Sequence, residues 1–148
     1  MSRWLAVDLG AKRIGLAVGN TSDRIASPLE VIAAEPARAA IAAIAAAGAD
    51  YSAQGIVVGW PLNTDGTEGP QGAEARRMAV ELARATGLDV RLWDERLSSF
   101  AADELLAGRY TRKKKQQRQD AIAAATFLSD FLSQDGPATA PRPGDARP

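Results

Sequence analysis

The chain has 148 residues, with 18 basic and 18 acidic side chains, 46% hydrophobic residues, no Cys and no His. That length fits one domain built on one core. The two missing residue types exclude disulfides, thiolate nucleophiles, Fe–S and Cys-based zinc centres, Ser-His-Asp triads, His general bases and His-ligated haem.

Trp4 to Asp8 alternates from face to face and then meets Gly10, which predicts a strand ending in a turn. Arg13 to Gly19 predicts a second strand, paired with the first through the Gly10-Ala11-Lys12 turn. Leu29 to Ala33, after Pro28, predicts a third. Pro36 suits a first helical position, and the alanine-rich stretch behind it predicts a helix to Gly48, where glycine suits a C-terminal cap. Gly55 to Gly59 is apolar on both faces, as in a central parallel strand. Pro61 to Gln71 reads as a loop, and Gly72 to Gly87 as a helix with Ala75, Met78, Ala79 and Leu82 on one stripe. Val90 to Trp93 predicts the fifth strand, running into Asp94-Glu95. Ser98 would cap a helix through Leu106, the basic run after it reads as a loop, and a last helix is expected from about Asp120 to Ser133.

The order βββαβαβα with a final helix predicts an α/β fold, a mixed five-stranded sheet with helices on both faces. Residues 1–133 would form the domain. Residues 134–148, rich in Pro and without a large apolar side chain, read as a disordered tail. No stretch approaches ~18 consecutive apolar residues, and Met1 to Trp4 leads into a strand rather than a signal peptide. A cytoplasmic protein with no membrane partner is the expectation.

Ligands of such sheets gather beyond the carboxyl ends of central strands, where Asp8, the Pro61 loop and Asp94-Glu95 fall. Asp8 shares strand parity with Trp4 and Ala6. Glu95 follows a separate strand. Asp120 stands at i, i+4, i+7, i+11 with Ala124, Phe127 and Phe131, on the apolar side of the last helix. Three acids could therefore meet at one sheet edge. Two carboxylates ~4 Å apart repel by about 4 kcal/mol at an effective dielectric near 20. Such a cluster calls for a proton or a hard cation, and Mg²⁺ or Mn²⁺ accepts the all-oxygen ligands this chain can supply. Taken singly, each acid has a plainer reading: Asp8 as a strand-end cap, Asp120 as a helix N-cap, and Glu95 as a surface partner of Arg96.

Charge is unevenly placed. Arg109, Arg112, Lys113, Lys114, Lys115 and Arg118 follow one another with no acid among them, which leaves the rest of the chain net acidic. This run precedes Asp120, and Lys12 and Arg13 in the first turn would extend a positive rim. With Tyr110 as its one aromatic, the run favours contact with a nucleic-acid backbone over base stacking.

Val7-Asp8-Leu9-Gly10-Ala11-Lys12-Arg13-Ile14-Gly15-Leu16-Ala17-Val18 resembles the opening signature of the YqgF/RuvX-type Holliday-junction resolvase and pre-rRNA nuclease family. Val58-Gly59-Trp60-Pro61-Leu62-Asn63 with Asp65-Gly66-Thr67 and Gly69 resembles its second motif. Asp94-Glu95-Arg96-Leu97-Ser98-Ser99 resembles the third, and Asp120-Ala121-Ile122-Ala123-Ala124 the fourth. The resemblance implies a ribonuclease-H-like fold with Asp8, Glu95 and Asp120 as catalytic, metal-binding acids using Mg²⁺ or Mn²⁺. It implies action on nucleic acid: 5′-end maturation of the 16S ribosomal RNA precursor, or resolution of branched DNA. A non-catalytic ribosome-assembly factor on the same fold is the alternative.

Under the resemblance, Lys12, Arg13, Arg112, Lys113, Lys114, Lys115 and Arg118 would hold the nucleic-acid backbone. Asn63, Asp65, Thr67 and Ser98 are candidates for substrate positioning, with turn and cap chemistry as their other reading. A homodimer would suit a two-fold junction. Trp60, Thr64 and the Ser98-Ser99 pair depart from the family pattern, at positions that touch no proposed ligand.

Overall fold

The computed structural model describes residues 1–97 and 112–145, without the side chains of Leu97 and residues 112–120. The helix expected from Ser98 lies outside the described residues. Five strands form one sheet: β1 (Arg3–Leu9), β2 (Arg13–Asn20), β3 (Ala26–Ala33), β4 (Gly55–Trp60) and β5 (Asp89–Asp94). Their order across the sheet is β3-β2-β1-β4-β5. β1, β2 and β3 pair antiparallel, whereas β1, β4 and β5 run parallel, so the sheet is mixed as expected.

Helices α1 (Ala37–Asp50) and α2 (Pro70–Thr86) cover one face. There Leu5, Val7, Ile14, Leu16, Ile56, Val58 and Leu92 pack with Ile44, Ala75, Ala79 and Leu82. On the other face α3 (Arg112–Ser133) lays Ala124, Phe127, Leu128 and Phe131 on Trp4, Ala6, Ala17, Val57 and Trp93. The alternation along β1 thus divides two cores, Leu5 and Val7 to one side and Trp4 and Ala6 to the other. Each large apolar side chain sealed in this way contributes roughly 1.5–3 kcal/mol. Phe131 is the anchor of the second core, its ring 5.0 Å from Trp4 and 5.7 Å from Trp93, edge-on to both.

Three expectations change. Gly48 does not end α1: it is buried within the helix, which continues to Asp50. The basic run is not a loop from Arg112 onward, because α3 begins there rather than near Asp120. Arg, Lys and Gln are good helix formers even without an apolar stripe, and no Gly or Pro interrupts them. Nor does the chain leave the fold at Gln134. Asp135 turns it at φ 60°, α4 (Gly136–Thr139) follows, and Ala140 enters the Trp93–Phe131 core. The Leu92 N–H then donates to Pro141 O at 2.8 Å, and Arg91 Nη1 donates to Ala140 O at 2.6 Å. Arg91, only 8% exposed, also holds Asp89, and Arg142 reaches the same carboxylate. Composition judged the segment by its missing apolar bulk, whereas what seats it is backbone hydrogen bonding along β5 and one small side chain.

Candidate active site

Asp8 and Glu95 approach each other over the end of β4. Val7 pairs with Val58 on one side of β4, which sets Asp8 level with Gly59, and Trp93 pairs with Gly59 on the other. β5 ends at Asp94, and Glu95 opens the short 3₁₀ turn Glu95–Leu97. Glu95 and Asp8 are hydrogen-bonded carboxyl to carboxyl. Gly59 makes the meeting possible. A Cβ on Gly59 would overlap Glu95 Oε1 and lie 3.2 Å from both Glu95 Cδ and Phe127 Cε2.

Burial raises the Glu95 pKa above the ordinary glutamate value. The hydrogen bond with Asp8 opposes that rise and the nearby Asp94 charge adds to it. The native state therefore keeps a proton that the unfolded chain has lost, between pH ~4.3 and the raised native value. Stability falls as pH rises through that window, and the cost persists above it. Glu95→Gln keeps a donor to Asp8 without the charge. The metal-free variant should match wild type in thermal stability below pH ~4 and exceed it at neutral pH, by at most about 4 kcal/mol. Equal melting temperatures across the range would show that the pair carries no such cost.

Arg96 does not pair with Glu95, as the surface-pair reading would have it. Its Nε and Nη2 grip Asp94 at 3.0 and 2.7 Å, and its backbone N–H donates to Asp94 Oδ1 at 3.0 Å. These bonds and the Arg96 charge outweigh burial, which alone would raise Asp94, and hold its carboxyl below the usual aspartate range. Glu95 is thus left to Asp8.

The third acid, Asp120, lies in α3. Its side chain lies outside the described residues, as do Ser98 and the side chains of Arg112, Lys113, Lys114, Lys115 and Arg118. The helix still places the backbone of residue 120. Phe131 meets Trp4 near the start of β1, and Phe127 reaches Gly59 near the end of β4. Continuing toward the N-terminus, residue 120 lies about 10 Å further along the axis, at the carboxyl ends of the parallel strands. Among the described residues no three Asp or Glu form a metal-holding group. Lys12 is exposed in the β1–β2 turn, whose Gly10 N–H donates to Arg13 O at 2.8 Å, so Lys12 and Arg13 border the same end of the sheet.

Asn63, Asp65 and Thr67 resolve into turn chemistry. The Thr67 N–H and Oγ1 donate to Asp65 Oδ1 at 2.9 and 2.6 Å, and Asn63 Nδ2 donates to Thr67 Oγ1 at 2.9 Å. These bonds lower the Asp65 pKa. The loop stays at the site's rim because Arg96 Nη1 donates to Thr64 O at 3.2 Å. Trp60, buried, spends its indole N–H on Glu68 at 3.0 Å, and Glu68 pairs with Arg76, which ties the loop to α2. Gly59 and Arg96 shape this geometry, although sequence reasoning, which quoted both within motifs, gave neither a place among the site residues. The available signals were a glycine breaking an apolar strand beside a site, and an Arg two residues after a strand-ending Asp.

A mixed sheet in the order β3-β2-β1-β4-β5, helices on both faces and a carboxyl pair at the ends of its parallel strands, defines a ribonuclease-H-like fold. Thermus thermophilus RuvC bound to a Holliday junction superposes with a TM-score of 0.56 at 17% identity, covering 95% of this chain and 99% of that one. The fowlpox virus Holliday junction resolvase gives a TM-score of 0.52 at 12% identity, over 90% and 99%. Within that class, the chain belongs to the RuvX family, described as Holliday junction resolvase, whose sequence profile matches residues 2–134. It is 44% identical over 131 residues to an Anaeromyxobacter sp. (strain Fw109-5) protein named "Putative pre-16S rRNA nuclease", spanning 88% of this chain and 96% of that protein. A protein of the same name from Chloroflexus aggregans is 40% identical over 129 residues, spanning 86% and 91%.

Proposed function

We propose that this protein is a divalent-metal-dependent nuclease that hydrolyses phosphodiester bonds in the 16S ribosomal RNA precursor, maturing its 5′ end in the cytoplasm. The observation that carries this reading is the Asp8–Glu95 carboxyl pair at the ends of parallel strands. The names of the 40–44% identical relatives supply the substrate. The donor set fits Mg²⁺ or Mn²⁺: the acids offer oxygen alone, and a chain without His or Cys has nothing softer. Asp8, Glu95 and Asp120 would hold the ion, which supplies Lewis-acid stabilisation of charge at the scissile phosphate when bound.

The remaining work belongs to the chain. Gly59 leaves the space in which Glu95 faces Asp8. Lys12 and Arg13 at the β1–β2 turn, and Arg112, Lys113, Lys114, Lys115 and Arg118 on α3, hold the phosphodiester backbone. Each phosphate so neutralised adds about −0.7 to the salt slope on a single strand. Asn63, Asp65 and Thr67 shape the rim, their polar groups turned to one another.

A second reading, resolution of branched DNA by a homodimer, is favoured by the family's description as Holliday junction resolvase. Purified protein with Mg²⁺ or Mn²⁺, and with EDTA as control, should cut a precursor 16S fragment in preference to a four-way junction. The reverse preference would establish the junction reading. Binding of either without cutting would make the protein a non-catalytic assembly factor.

A further inference from the structure

We infer that Arg96 is a positioning residue of the nuclease site, locking the Asn63–Thr67 loop and the Asp94–Glu95 junction into one unit. This rests on the nuclease reading above. The guanidinium works on two sides at once. Toward β5, Nε lies 3.0 and 3.1 Å from the two Asp94 oxygens, and Nη2 lies 2.7 Å from Oδ2. Toward the loop, Nη1 donates to Asn63 O at 3.4 Å and Thr64 O at 3.2 Å. The loop accepts this contact because Gly66, at φ 88°, turns its vacant side to the guanidinium, with both terminal nitrogens 3.7 Å from where a Cβ would stand.

Two details separate this from an ordinary surface ion pair, which holds two mobile side chains and little else. First, the Arg96 backbone N–H also donates to Asp94 Oδ1 at 3.0 Å, so side-chain and main-chain bonds close a ring with Glu95 at its centre. The Glu95 backbone is fixed from both flanks while its carboxyl meets Asp8. Second, the loop is bonded to itself. Besides its side-chain bonds, Asn63 N–H donates to Thr67 O and Gly66 N–H to Asn63 O, both at 2.9 Å. Gripping its carbonyls therefore places the entire rim. Lysine has the charge but not the planar fork, and cannot span both sides.

Arg96→Lys and Asp94→Asn test the assignment. In single-turnover cleavage, each should lower the chemical rate at least 10-fold, while the affinity for uncleaved substrate stays within about two-fold. The double variant should be no slower than the slower single one, because both remove the same brace. Amide hydrogen exchange at Asn63, Gly66 and Thr67 should speed up at least 10-fold in both singles. Wild-type cleavage rates in Arg96→Lys, or a loss confined to substrate affinity, would overturn the assignment, the latter by making Arg96 a substrate contact. Unchanged loop exchange would overturn it as well. If the wild-type protein cuts neither substrate, the functional reading fails, and the exchange rates alone still decide whether the brace exists.

Discussion

Asp8→Asn should bind the nucleic-acid substrate as tightly as wild type, or more tightly, and cut it at least 1,000-fold more slowly, a loss of about 4 kcal/mol in transition-state stabilisation. Asn has nearly the same shape as Asp and fits the end of β1, where the side chain shares parity with the buried Trp4 and Ala6. Its amide donates to Glu95, so the contact between the two positions survives. What is lost is an anionic oxygen at the point where a hard cation would be held. Removing one of two facing acids also relieves their repulsion, so the metal-free variant should melt no lower than wild type. Cleavage rates, gel-shift affinities and melting curves measured together separate this from unfolding. Undiminished cleavage would remove Asp8 from the chemistry.

Gly59→Ala should be nearly as damaging, although it adds one methyl group and touches no charge. Gly59 sits in β4, every residue of which is buried, between the strands that deliver Asp8 and Glu95. The new Cβ would claim the position of Glu95 Oε1 and press on the Phe127 ring. Phe127 is fixed in the α3 core and yields little, whereas Glu95, at the start of a turn, can swing away. Glu95 should therefore move out of reach of Asp8. An ångström-scale displacement of this kind costs about 100-fold in rate, and overpacking the strand end costs roughly 1–3 kcal/mol of stability. A rate loss that tracks the fraction unfolded would point to simple destabilisation. A folded, inactive protein is the expected result.

Most of the sheet can be read from the sequence because its strands carry their own signals. β1 alternates between two cores, β4 is apolar on both faces, and Gly10, Gly55 and Pro61 punctuate their ends. Asp8 and Glu95 could be placed at one edge because strand parity and strand ends are local properties. Their approach to hydrogen-bonding distance was not local: it depends on register across β4 and on the absent side chain of Gly59. The Arg96 brace escaped for the same reason, since its partners Asn63 and Thr64 are distant in the chain and present carbonyls rather than side chains. The first turns of α3 escaped because the periodicity of apolar residues marks packed helix, and this stretch offers none.

The family profile stops at residue 134, just before the segment that lies along β5. The sheet's other margin, β3, carries its own deterrents to a stray strand in Pro28, the Glu30 charge and a register shift opposite Leu16 and Ala17. β5 has neither a proline nor a register shift, and its outer side is occupied by Ala140 to Arg142. A recombinant protein trimmed to the family boundary would bare the Leu92 amide and take from the buried Arg91 the Ala140 carbonyl, leaving its guanidinium with Asp89 alone. It should be sticky, recruiting a neighbour's backbone in place of its own and sedimenting as assemblies. For this chain, a boundary drawn by kinship would be a recipe for aggregation.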